Sequence, residues 1–267
     1  MLDIWKTSLP AIAAFIAFSI ASIDALAVDD SWQLEAYRLY EAGSYVEAAE
    51  YALPYPTSEA KSFAARSYLT QVTSVEPRSR RMEIIGFGRE AAEAALKLDP
   101  ENVEALVQKA IAIGLEGTDM GAFEAFSSGL AHRVRDTLEA ALAIDPNDPW
   151  ALSTLGGWHM EVERRGGSIG QLIYGASRQR GIDYLEQALF NAPNSIPVRQ
   201  RYAALLIATN DKALHERAAQ ILNRARIILP RSQYDHATLQ NCMELEAPLL
   251  RGDTKEAVRI AVAQLQD

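Results

Sequence analysis

From residue 31 to the last turn of the chain, apolar side chains return every three or four positions, the spacing of a helix that buries one face. The pattern comes in units. In SWQLEAYRLYEAGSYVEAAEYA (31–52), EAALKLDPENVEALVQKA (93–110), EAALAIDPNDPWALSTLG (139–156), EQALFNAPNSIPVRQRYA (186–203) and ARIILPRSQYDHATLQ (225–240), one amphipathic helix enters a short turn and a second follows. Four of these turns carry Pro100, Pro146, Pro193 and Pro230, at intervals of 46, 47 and 37 residues. A unit of this size is one helical hairpin, whose apolar stripe finds cover only by stacking on its neighbours. The expected fold is all-α, a helix-hairpin solenoid of about five to six repeats that fills residues 28–267.

These units resemble the tetratricopeptide repeat family, which places a bulky apolar residue, Leu, Gly and Tyr on its first helix and Ala and Pro on its second. Leu152, Leu155, Gly156 and His159 fall in the first-helix positions, and Gly181, Leu185, Ala188 and Pro193 in those of the second. The opening unit matches at Trp32, Ala36, Leu39, Gly43, Tyr45 and Ala48. Two departures stand out. The intervals exceed the family's repeat of about 34 residues, and His159 stands where a Tyr is usual. A looser resemblance links residues 184–225 to the helical T-component proteins of tripartite periplasmic transporters.

Glycine inside a helix costs roughly 1 kcal/mol relative to alanine, so the pair Gly156-Gly157 needs a reason. Gly156 occupies the position where the resemblance implies a close crossing of the two helices of a hairpin. Gly157, a step of 100° further round, points to the other face. There Trp150, Ser153, Gly157 and Glu161 form one stripe ending in Arg164 and Arg165. A tryptophan beside a glycine makes a flat surface against which a partner segment can lie, so this stripe is the candidate binding groove. The rival expectation is that the 165–177 insertion fills it. The insertions GLEGTDMGAFEAFSSGLA (114–131) and RGGSIGQLIYGAS (165–177) lie at equivalent points of consecutive repeats and carry bulky residues, which predicts that they pack on each other as a rim.

The first 27 residues follow a different rule. Lys6, the apolar run 9–23 and Ala25-Leu26-Ala27 predict a signal peptide cleaved after Ala27, hence a periplasmic or secreted protein. The alternative is an uncleaved membrane anchor. Cys242, the single cysteine, excludes an intrachain disulfide and reads as a buried small hydrophobe. A net charge of -9 argues against nucleic-acid binding, since 26 basic residues are scattered among 35 acidic ones.

Chemistry is sparse. His159 and Glu163 share a helix face but Glu161 points away, so no set of three ligands converges and no metal is expected. His159 reads as a packed residue hydrogen-bonded to Glu163. The chain holds no GxSxG or P-loop, and Ile85-Gly86-Phe87-Gly88-Arg89 enters a helix rather than leaving a strand, so no cofactor and no enzyme activity is expected. Arg78-Ser79-Arg80-Arg81 and Arg164-Arg165 read as solvated helix ends. The leading functional expectation is an exported scaffold that binds a protein or peptide in an apolar groove; the alternative is a solute-binding or transport-associated protein with a transport-system partner. A clamp for a C-terminal carboxylate is set aside, because Glu104, Val107 and Ile111 and then Trp150, Ser153 and Gly157 stand where Lys and Asn would be required.

Overall fold

The computed structural model describes residues 31–72, 75, 77–117 and 128–265. The expected signal segment therefore lies outside the described residues, as does most of the first insertion. Within them, twelve helices follow in order: α1 (Trp32–Glu41), α2 (Tyr45–Ala52), α3 (Ser58–Gln71), α4 (Arg78–Leu98), α5 (Val103–Glu116), α6 (Leu130–Ile144), α7 (Pro149–Tyr174), α8 (Arg178–Asn191), α9 (Ile196–Ala208), α10 (Lys212–Ala225), α11 (Gln233–Leu250) and α12 (Thr254–Gln264). They pair as six consecutive hairpins, the all-α solenoid expected.

The proline turns work because a polar side chain caps the helix that follows each one. Asn102, Asp148, Ser195 and Ser232 accept from the backbone N–H of Ala105, Ala151, Val198 and Asp235, at the starts of α5, α7, α9 and α11. Thr57 does the same for α3. Each such cap is worth about 1 kcal/mol.

Packing follows the hairpin order, and the odd-numbered helices also touch one another in series: α1 with α3, α3 with α5, α5 with α7, α7 with α9 and α9 with α11. They form the inner layer. The curl goes far enough for α1 to meet α11, where Gly43, in the left-handed region at φ +86°, lies against Gln233. Alanines fill the first core, among them Ala48, Ala49, Ala52, Ala64, Ala65, Ala91 and Ala92, all buried. Their small side chains let helices approach closely, while Trp32 and Phe63 supply bulk with ring centroids 5.4 Å apart.

The second insertion is a helix rather than a loop. α7 runs on to Tyr174, bending at Gly167 (φ 52°, ψ -139°) so that Gly170 lies on the Val162 carbonyl, 2.6 Å from where its Cβ would be. Arg135 of α6 donates to the Tyr174 carbonyl at 3.2 Å, and His132 packs on the Tyr174 ring at 4.8 Å. This extension therefore rests on α6 and does not reach the Gly157 stripe. Leu172 (87% exposed) and Ile169 face solvent.

Candidate functional site on the concave face

The inner surface is built from the odd-numbered helices. On α3, Arg66 pairs with Glu104 of α5 at 3.1 Å and donates to the Tyr37 hydroxyl of α1 at 3.3 Å. Its guanidinium stands over the rings of Tyr37, Tyr40 and Phe63, 5.6, 5.5 and 5.0 Å from their centroids. Desolvation opposes the Arg66 charge, but Glu104 and the tyrosines outweigh it and its pKa rises. For Glu104 desolvation wins over Arg66, and the carboxyl pKa is also raised. Tyr40 shares a hydrogen bond of 3.1 Å with Thr70. The lining is thus polar and aromatic where an apolar groove was expected: Val107 is turned into the core and Glu104 is engaged by Arg66.

The four residues of the candidate stripe fare differently. Trp150 is 43% exposed, whereas Ser153 is only 2% exposed. Gly157 is covered by a neighbour that sequence reasoning missed: Arg201 of α9 lies so close that a Cβ at Gly157 would meet its Nε and Nη2 at 3.1 Å. Glu161 receives two bonds from Arg164, at 2.7 and 2.8 Å, and one from Arg165 at 2.9 Å. Those hydrogen bonds, with the nearby guanidinium charges, hold its carboxyl below the usual range even against burial. The two arginines are therefore mid-helix partners of Glu161, since α7 continues beyond them.

Arg201 is itself an exposed residue of α9. It makes no hydrogen bond or ion pair with any residue, although it stays in contact with solvent. Desolvation pulls its pKa down, and Glu161 and Tyr234 of α11 offset this only in part. The one signal available from sequence was a pair of arginines, Arg199 and Arg201, in a helix whose other residues are almost all buried.

His159 is 3% exposed and points away from the stripe. Its ring stacks on Tyr184 at 5.7 Å with the planes 9° apart, and its Nδ1 accepts from the Ser177 N–H at 3.4 Å. The expected Glu163 partner is engaged elsewhere, by the backbone N–H and guanidinium of Arg178. Burial, with Arg180 and Arg135 adding to it, pushes the imidazole pKa down to about 4. Among the described residues no group of three or more His, Cys, Asp or Glu side chains is placed to hold a metal ion. A separate hollow of about 350 Å³ lies between Met160, Gly167 and Thr209, and its charged walls, Glu163, Arg164 and Arg178, are already paired. No helix among the described residues is long and apolar enough to cross a membrane.

Comparison with known proteins corrects the resemblance drawn from the repeat pattern. The family model that matches is RMD1-3, regulator of microtubule dynamics protein 1-3, over residues 20–249, and not the tetratricopeptide or T-component families. The hairpin period carries the helical architecture without specifying which family built it. No curated protein matches the chain significantly.

Proposed function

The chain belongs to the regulator of microtubule dynamics protein 1-3 family, and on that premise we propose that it is a non-catalytic adaptor whose concave face holds a segment of a protein partner. The family's name describes regulation of a protein polymer, an activity exercised through protein contacts. The observation that carries the reading is the exposure of two aromatic side chains on helices of the inner layer, Trp150 (43%) on α7 and Tyr37 (44%) on α1. Tryptophan, tyrosine and arginine dominate binding energy at protein interfaces. Export with cleavage after Ala27 is part of the same proposal.

The test is affinity capture from the protein's own compartment, comparing wild type with Trp150→Ala. The expected result is a protein retained by the first and lost from the second, with equal melting temperatures. Equal retention by both, or recovery only of a small molecule by native mass spectrometry, overturns the reading.

A further inference from the structure

The edge of the array that carries the proline turns also carries a row of apolar side chains. Leu98 closes α4, Ile144 closes α6, Phe190 lies one residue from the end of α8, and Ile227 and Leu229 follow α10. All are exposed, Phe190 (83%) and Leu229 (82%) most fully. Each stands at the same point of its hairpin, where an even-numbered helix enters the turn to an odd-numbered one. These turns lie side by side. Asn191 donates to the Asn147 carbonyl at 2.8 Å and Gln187 to that of Pro146 at 3.4 Å, while Arg217 ties α10 to Glu186 of α8 at 2.8 Å. Asp148 lies near enough to Glu104, the second residue of α5, to help raise its carboxyl pKa, which brings in the turn after α4. Single exposed apolar residues are normal on a protein surface, but a contiguous row marks an interaction site.

Charge along this row is divided. The turns after α4 and α6 present Asp99, Glu101, Asp145 and Asp148 against Lys97 alone. From Arg217 to Arg231 the chain has four arginines and no acid. Glu186 and Glu246 engage Arg217 and Arg226, which leaves exposed Arg224 and Arg231 in excess. Phe190 stands between the two halves. We propose that this edge is the interface of a two-fold homodimer, in which the acidic half of one protomer lies on the basic half of its partner. A row that is acidic at one end and basic at the other is complementary to its own antiparallel copy. A two-fold axis near its middle sets Asp99 and Glu101 opposite Arg224 and Arg231, and does so twice. A membrane surface or a nucleic acid of uniform charge would be repelled by one of the halves. Four hairpins at about 10 Å per helix, two layers deep, give an edge of roughly 800 Å² per protomer, the size of a standard interface. The inference goes beyond the adaptor reading, which concerns the concave face.

Sedimentation velocity on the full chain tests this, with circular dichroism to verify that each variant is folded. The wild type should dimerise reversibly, and Phe190→Ser should move the midpoint at least about 10-fold toward higher concentration. Asp99→Arg with Glu101→Arg makes both ends of the row basic, and Arg224→Glu with Arg231→Glu makes both ends acidic, so each double variant alone should stay monomeric. Mixed in equal amounts, the two should form a heterodimer, because a basic end then meets an acidic one at both contacts. That recovery separates lost pairing from lost folding. A wild type that stays monomeric up to about 1 mM overturns the proposal. So does a dimer that survives both charge reversals, or a pair of variants that fails to recombine. Capture of a different protein by the wild type and not by Phe190→Ser, with the chain itself monomeric, would give the edge to that partner and equally overturn it. None of these readouts involves Trp150 or a captured segment, so their failure leaves the adaptor reading standing.

Discussion

Arg201 occupies the space that a side chain at Gly157 would take, its Nε and Nη2 each 3.1 Å from the position of the missing Cβ. The atoms in the way belong to the end of a flexible side chain, so alanine at 157 can be accommodated by a small movement of the guanidinium. Gly157→Ala should therefore keep or raise stability, by up to about 1 kcal/mol from helix propensity alone. A clear fall in melting temperature would show that the Arg201 geometry is more rigid than this argument assumes.

Gly156, its neighbour, should behave in the opposite way. A Cβ there would lie 2.9 Å from the Gly181 carbonyl oxygen and 2.8 Å from Leu185 Cγ, and backbone of a packed helix cannot step aside. We expect Gly156→Ala to cost about 1 to 3 kcal/mol, read from the urea midpoint. The helix-propensity gain is the same as at 157, so the difference between the two variants isolates the crossing of α7 and α8.

His159 ties stability to pH. Its folded pKa of about 4 lies below the unfolded value of 6.5, so the unfolded chain binds the extra proton first. Its contribution is complete above pH 6.5 and is lost as pH falls from there toward 4, amounting to roughly 2 to 4 kcal/mol. Protonation also turns Nδ1 into a donor facing the Ser177 N–H donor. Denaturation midpoints between pH 7 and 4 should flatten in His159→Gln relative to wild type. Added Zn²⁺ should stabilise neither protein.

Cys242 should be inert in the folded protein. It is buried on α11, and burial pushes its thiol pKa up to about 12. A thiol-specific disulfide reagent at pH 8 should titrate close to no thiol in the native state and one per chain in denaturant. Rapid native-state reaction would indicate that α11 opens readily.

Processing after Ala27 predicts an intact mass that begins at Val28 when the protein is isolated from its native compartment. The family match starts at residue 20, inside the expected signal segment, which makes the measurement informative. Full-length protein in the membrane fraction would assign the segment to an anchor.

Much of the architecture was legible because it is local. The Asp-Pro-Glu-Asn, Asp-Pro-Asn-Asp-Pro and Pro-Asn-Ser turns state both where one helix stops and which side chain caps the next. Gly156 was legible for a similar reason, since a small residue at that point of a hairpin meets its partner within the same repeat. The continuation of α7 through Gly166, Gly167 and Ser168 was not, because a glycine-rich stretch reads as a loop until α6 is seen supporting it. Nor was Arg201. Periodicity says which residues share a face of α9 and nothing about the glycine waiting on α7, more than forty positions earlier. The sequence leaves the Gly157 stripe with two expectations, open or filled, for the same lack: helical geometry gives a direction and not the neighbour that lies along it.

The meeting of Gly43 with Gln233 changes what kind of object this array is. A linear stack of hairpins frays from either tip, each unit lost at the expense of one interface. Here the tips guard each other, and the first loss must break two interfaces at once. Deleting α11 and α12 should consequently loosen α1 and α2 at the far end of the chain, which hydrogen exchange of their amides would register.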